Sequence, residues 1–215
     1  MNFLHIPKCG GTALKYAIEG VDNPPYGILA MQGHIPTLQN TASDVFFQIR
    51  DPWERFCSAF WERKTVHSRQ QQNAQNGKTS FGYAIPTPSE QRYLDSFQTP
   101  DNLCSYLRTG GNLTGILEEL ASPHNRWLGN LESYKQHEHR VKLVYETKHQ
   151  DAAVLEHFGI TCPQDAFSRR SRRAFDRPQS YECSEQNHKW FINQYRPHEY
   201  ELLAYITVQD YYWRP

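Results

Sequence analysis

Residues Asn2 to Leu14 read NFLHIPKCGGTAL, and this stretch decides what kind of sheet the chain can build. Phe3-Leu4-His5-Ile6 has the apolar character of a short buried strand. Pro7, Gly10 and Gly11 cannot continue it, and Thr12 to Ile18 carries a helical pattern that Gly20 can close. A strand, a glycine-rich turn and a helix start in immediate succession make an anion cradle. Backbone N–H groups converge there, and the helix dipole adds partial positive charge.

The rest of the chain repeats the strand-then-helix order. Tyr26 to Met31 reads as a second strand, ending in QGHIP with His34. Asp44 to Arg50 (DVFFQIR) is a third, aromatic and β-branched as buried parallel strands are. Asp51-Pro52 breaks it and suits the first turn of a helix through WERFCSAFWERK. From Val66 to about Pro88 the text turns polar and glutamine-rich, which reads as an irregular insertion or lid over about 66–100. Short helices follow at Asp101 to Leu107 and Leu113 to Ala121. His139 to Glu146 is a further strand, followed by a helix that Gly159 closes. A basic loop from Ser168 to Arg173 precedes a C-terminal helical region that Pro197 divides in two. Alternating strands and helices predict one α/β domain over residues 1–215, a parallel β-sheet with helices on both faces. Ligands of such sheets sit at the carboxyl ends of the strands, where Lys8, His34 and Arg50 fall.

Composition narrows the function classes. Lys plus Arg and Asp plus Glu both number 23, which argues against a broad nucleic-acid-binding surface. The five cysteines include no C-x-x-C pair, so neither a disulfide framework nor a zinc site is expected. No run reaches the length of a membrane span, and no signal peptide precedes the first strand. A cytoplasmic protein is the expectation if Met1 is the natural start, and a Golgi lumen is open if it is not. His137 and His139 alternate as strand metal ligands can, but a polar surface turn is the simpler reading.

A Walker A loop places its lysine after the glycines, whereas Lys8 precedes Gly10-Gly11 here. Lys8 can instead reach over the loop while Gly10 and Gly11 let an anion approach the backbone, and Thr12 adds a hydroxyl. IRDPWERFCSAF supplies the second element. Arg50 ends a strand, and Ser58 sits about two turns into the next helix. A guanidinium and a hydroxyl so placed can clamp one phosphate from two sides.

With HIPKCGGTAL and IRDPWERFCSAF in this order, the chain resembles the sulfotransferases that use 3′-phosphoadenosine-5′-phosphosulfate (PAPS). The likeness is greatest to the carbohydrate-type and bacterial branches. SPHNRWLGN (Ser122 to Asn130), VKLVYETKHQDAAVLEHFGI and EYELLAYI extend it more weakly. The evident departure in the first motif is Cys9, where the family carries threonine or serine. The resemblance implies a P-loop NTPase-like three-layer sandwich, with PAPS as co-substrate, adenosine 3′,5′-bisphosphate as product and no metal requirement. Lys8 would meet the 5′-phosphosulfate and its bridging oxygen. Cys9, Gly10, Gly11, Thr12 and Ala13 would wrap the 5′-phosphate, and Arg50 and Ser58 would hold the 3′-phosphate, with Arg172 and Arg173 closing over it. His34 is the candidate base, since histidine titrates near neutrality. His5 is expected in the core or behind the site. The acceptor is a carbohydrate or small-metabolite hydroxyl; Trp61, Tyr83, Arg126 and Trp127 read equally as its lining or as core. The alternatives are a P-loop kinase with a divergent phosphate loop and a non-catalytic nucleotide-binding homologue.

Overall fold

The computed structural model describes residues 1–11, 14, 37–75, 87–159 and 181–215, with the side chains of 66–75 and 116 excepted. The expected helix from Thr12, the strand at Tyr26 to Met31, His34, Tyr83, and the basic loop with Arg172 and Arg173 lie outside the described residues. Three strands, β1 (Asn2–Leu4), β2 (Val45–Ile49) and β3 (Val141–Glu146), form a parallel sheet in the order β1-β2-β3. The helices are α1 (Pro52–Gln75), α2 (Pro88–Asp95), α3 (Pro100–Arg108), α4 (Gly115–Leu120), α5 (Asn125–Leu128), α6 (Leu131–His137), α7 (Gln150–Phe158), α8 (Glu185–Trp190) and α9 (Pro197–Ile206). A π-helical turn, Phe191–Tyr195, follows α8.

The chain divides into two compact units. The first comprises Met1–Pro52, Pro123–Arg170 and Arg196–Pro215 and holds the sheet. All five residues of β2 are buried, so the strand is covered on both faces. The period-two geometry of strands sorts its neighbours. Leu4 and Phe47 join a core with Trp127, Leu128, Tyr134, Leu202 and Ile206, from α5, α6 and α9. Phe3 and Phe46 join the other core, with Leu14 and with Ala153 and Val154 of α7. Helices thus pack on both faces of a parallel sheet, and the chain is α/β. The C-terminal residues cover the outer edge of β3: Val144 donates its N–H to Tyr211 O at 3.0 Å and accepts from Trp213 N at 2.8 Å.

The second unit, Trp53–Ser122 and Ser171–Tyr195, is helical among its described residues. Thr99 closes a capping box with Asn102 at the start of α3, and Thr87 and Ser184 cap α2 and α8. Arg55 reaches the end of α4, donating to the carbonyls of Leu120 at 3.2 Å and Ala121 at 3.4 Å. Arg63 of α1 and Glu90 of α2 meet fork to fork, at 3.2 Å and 3.0 Å, with 2% and 6% of their side chains exposed.

One expectation is corrected. The stretch expected to begin an irregular insertion at Val66 is instead the last ten residues of α1, which runs unbroken to Gln75, and 76–86 lie outside the described residues. Within 66–100, α2 and the start of α3 are helical as well. Gln and Arg are good helix formers, so polarity there did not signal an absence of helix.

Candidate anion-binding site

β1 delivers the loop. His5 and Ile6 lead out of the strand, Pro7 to Gly10 turn, and Gly11 and Leu14 are already helical, with Leu14 N bonded to Gly10 O at 3.5 Å. Two backbone positions on the loop are left-handed, Lys8 at φ 65° and Gly10 at φ 80°. For a lysine this conformation costs about 1–3 kcal/mol and persists where surrounding contacts enforce it. Cys9 between them stays on the negative side of φ. Such alternation is the backbone pattern of anion-binding nests.

Close packing explains both glycines. A Cβ on Gly10 would stand 2.9 Å from Gln150 Oε1 and from Thr147 Cγ2, and one on Gly11 would stand 1.9 Å from His5 Cδ2. Gln48 is the penultimate residue of β2, and Thr147 and Gln150 follow β3, so the loop lies against the carboxyl ends of the parallel strands, where α/β sheets bind ligands. Beneath Gly10, Gln48 Nε2 donates to Gln150 Oε1 at 2.5 Å. The remaining polar atoms of these two buried amides, Gln48 Oε1 and Gln150 Nε2, have no hydrogen-bond partner among the described residues. Arg50, just past β2, donates from Nη1 to the carbonyl of Lys8 at 3.5 Å. The guanidinium and the lysine of the two motifs therefore meet at one loop.

The other expected site residues are placed as follows. Cys9 turns its side chain into the core beside Ile6, Leu38 and Trp127, and its N–H is donated to Ile6 O at 3.3 Å. Ser58 is half-buried on α1 in the helical unit. Thr12, Ala13, His34, Arg172 and Arg173 lie outside the described residues. His5 is half-buried, with Gly11 packed on its ring. Trp127, open to acceptor lining or core from the sequence, is 1% exposed and belongs to the sheet core, with the Arg126 guanidinium 5.7 Å over its ring. Trp61 packs edge-on against Phe60 at 5.1 Å. His137 and His139 sit at a helix end and in the 3₁₀ turn that follows it, where His137 Nδ1 lies 2.8 Å from Arg140 Nη2. Among the described residues no group of three or more His, Cys, Asp or Glu is arranged to hold a metal ion. No helix among them is long and apolar enough to cross a membrane.

One constellation was not read from the sequence. Behind the loop, His124 Nε2 lies 3.4 Å from Cys9 Sγ. Glu199 Oε1 accepts from the His124 backbone N–H at 2.8 Å and stands 2.5 Å from His124 Nδ1. Arg196 Nε is 3.8 Å from the other Glu199 oxygen. All three members of the row are buried, at 1%, 0% and 2% exposure for Cys9, His124 and Glu199. Their positions in the sequence carry no local signal; only the fold of the first unit brings them together.

No protein-family model, no curated protein and no solved structure matches this chain.

Proposed function

We propose that the chain is a PAPS-dependent sulfotransferase acting on a hydroxyl of a carbohydrate or small-metabolite acceptor. The observation that carries the reading is the meeting of Arg50 with the Lys8 carbonyl, on a loop whose glycines have no room for a side chain. A donor of this kind carries two phosphate groups to be held. Lys8, Gly10 and Gly11 suit the 5′-phosphosulfate, and the 3′-phosphate that ATP lacks is what the resemblance assigns to Arg50 and Ser58. Thr12 and Ala13 would complete the loop, and Arg172 and Arg173 would close over the 3′-phosphate. The reading also carries the P-loop-like three-layer sandwich as its fold and a single catalytic domain.

Sulfuryl transfer needs position and charge. The acceptor oxygen attacks sulfur, the bond from sulfur to the bridging oxygen breaks, and the electron pair leaves on the 5′-phosphate. The Lys8 ammonium and the loop amides would stabilise that developing charge. The acceptor proton would pass to His34. Removing one preorganised donor of this type costs about a hundred- to a thousand-fold in rate.

The test is transfer itself. Incubated with sulfur-labelled PAPS and a pooled library of saccharide and metabolite acceptors, the protein should label at least one acceptor, and Lys8→Ala should abolish that labelling. Transfer by Lys8→Ala at the wild-type rate would overturn the assignment. Full turnover by His34→Ala would remove His34 as the base and leave the reaction class standing.

A further inference from the structure

A buried carboxylate, imidazole and thiol in one row call for an explanation, because each forgoes water to be there. The carboxylate is served: Glu199 receives the His124 backbone N–H and faces Nδ1 with one oxygen, and Arg196 faces the other. An Nδ1–H held by a carboxylate fixes the plane and tautomer of the ring. In the neutral ring Nε2 is then an acceptor, and the hydrogen within reach is the S–H of Cys9, with sulfur 3.4 Å away. The same logic of nucleophile, base and orienting acid builds catalytic triads. Here, however, the sulfur lies in the sheet core, 1% exposed, and faces away from the loop's outer side.

What the row reaches is the pivot of the loop. Cys9 stands between left-handed Lys8 and left-handed Gly10. A non-glycine residue keeps that conformation only where its surroundings over-determine it. Below Gly10, the Gln48–Gln150 pair and Thr147 hold the loop from the β2 and β3 side. On the other side, Cys9 is held from above by its N–H to Ile6 O and from behind by His124. We infer that His124 and Glu199 are positioning residues of the anion loop. Acting through the Cys9 thiol, they fix the backbone turn that aims Lys8 and the Gly10 and Gly11 amides at a bound phosphate. The inference rests on reading this loop as an anion site. It also gives Cys9 a reason to be a hydrogen-bond donor that fits a core: a thiol fills apolar space and still reaches the imidazole.

The experiment compares the amide resonances of Gly10 and Gly11 in ¹⁵N-labelled protein with calorimetric affinity for adenosine 3′,5′-bisphosphate. Four variants of the full chain serve: His124→Asn, which keeps a donor toward Glu199 and lacks Nε2, Cys9→Ala, Cys9→Ser, and the double variant C9A/H124N. His124→Asn and Cys9→Ala should each move both amide resonances and weaken the bisphosphate by about tenfold, the loss of one buried hydrogen bond. Cys9→Ser, which restores a donor, should bind within about threefold of wild type. The double variant should bind about as well as either single one, since both cut the same link. Unmoved Gly10 and Gly11 amides in His124→Asn, or a Cys9→Ser variant no better than Cys9→Ala, would overturn the inference. If His124→Asn does not fold, the two Cys9 variants decide the question. If wild type binds no bisphosphate, the loop's assigned ligand fails, and the amide resonances alone decide whether the row positions the loop.

Discussion

Each unit of this molecule buries a glutamate against a cationic or protonatable partner, and the two are built differently. In the helical unit, Arg63 takes both oxygens of Glu90 and ties α1 to α2. In the sheet unit, Glu199 faces His124, which extends toward Cys9 on the loop. The first arrangement joins two pieces of scaffold. The second joins scaffold to the segment that carries the candidate chemistry. Burial of a charged pair therefore does not by itself mark function; what the pair's far end touches does.

The largest effect expected from breaking this comparison is on the scaffold pair. Arg63→Met leaves Glu90 buried without its fork and should cost about 3–5 kcal/mol in urea unfolding. The double replacement R63M/E90L should recover most of that loss, because a buried pair exchanged for apolar groups is close to neutral. A single variant no less stable than wild type would show that the pair ties nothing.

On the loop side, Gly11→Ala places a methyl 1.9 Å from the His5 ring and 2.5 Å from its Nε2. Overpacking of this kind costs about 1–3 kcal/mol, and the loss should appear both as a lower Tm and as weaker bisphosphate binding. A variant that loses stability but binds as wild type would separate the loop's packing from its ligand.

A smaller effect comes from the acid that organises the helical unit. Asp101 accepts from Ser184 N at 2.9 Å and from Asn187 Nδ2 at 2.8 Å. Burial alone would raise its pKa, but the bonds from Asn187, Ser184 and Cys183 outweigh burial and hold it below the usual carboxylate value. A carboxyl whose folded pKa is depressed stabilises the fold above its unfolded pKa of about 3.9, and that contribution fades as pH falls through the folded value. Asp101→Asn should therefore be less stable than wild type near neutrality, by about 0.5–1 kcal/mol once solvent screening is allowed for, and the two should converge in acid. Parallel stability curves from pH 7 to below pH 3 would remove Asp101 from this role.

Much of the fold was legible because its signals are local. Asp51-Pro52 marks the strand end and helix start where β2 and α1 meet, Gly159 closes α7 at φ 64°, and Pro197 opens α9. The aromatic run of β2 announced a strand covered on both faces, which it is. The end of α1 was missed because a glutamine-rich stretch looks alike in a helix and in a polar loop. Trp127 stayed open between acceptor lining and core, because an aromatic residue beside Arg126 and Asn125 resembles a sugar platform until packing places it in the core. The site divides the same way. Lys8, Gly10, Gly11 and Arg50 lie in two short motifs that a reader can join. The row from Glu199 through His124 to Cys9 exists only once three distant segments have packed together.

The most direct test of the central claim is a calorimetric comparison of adenosine 3′,5′-bisphosphate, without metal, against ATP with magnesium on the wild-type protein. The bisphosphate should bind, and Lys8→Ala should weaken it by at least about tenfold, since a charge-assisted contact is lost. Binding of ATP with magnesium, with no heat from the bisphosphate, would contradict that claim.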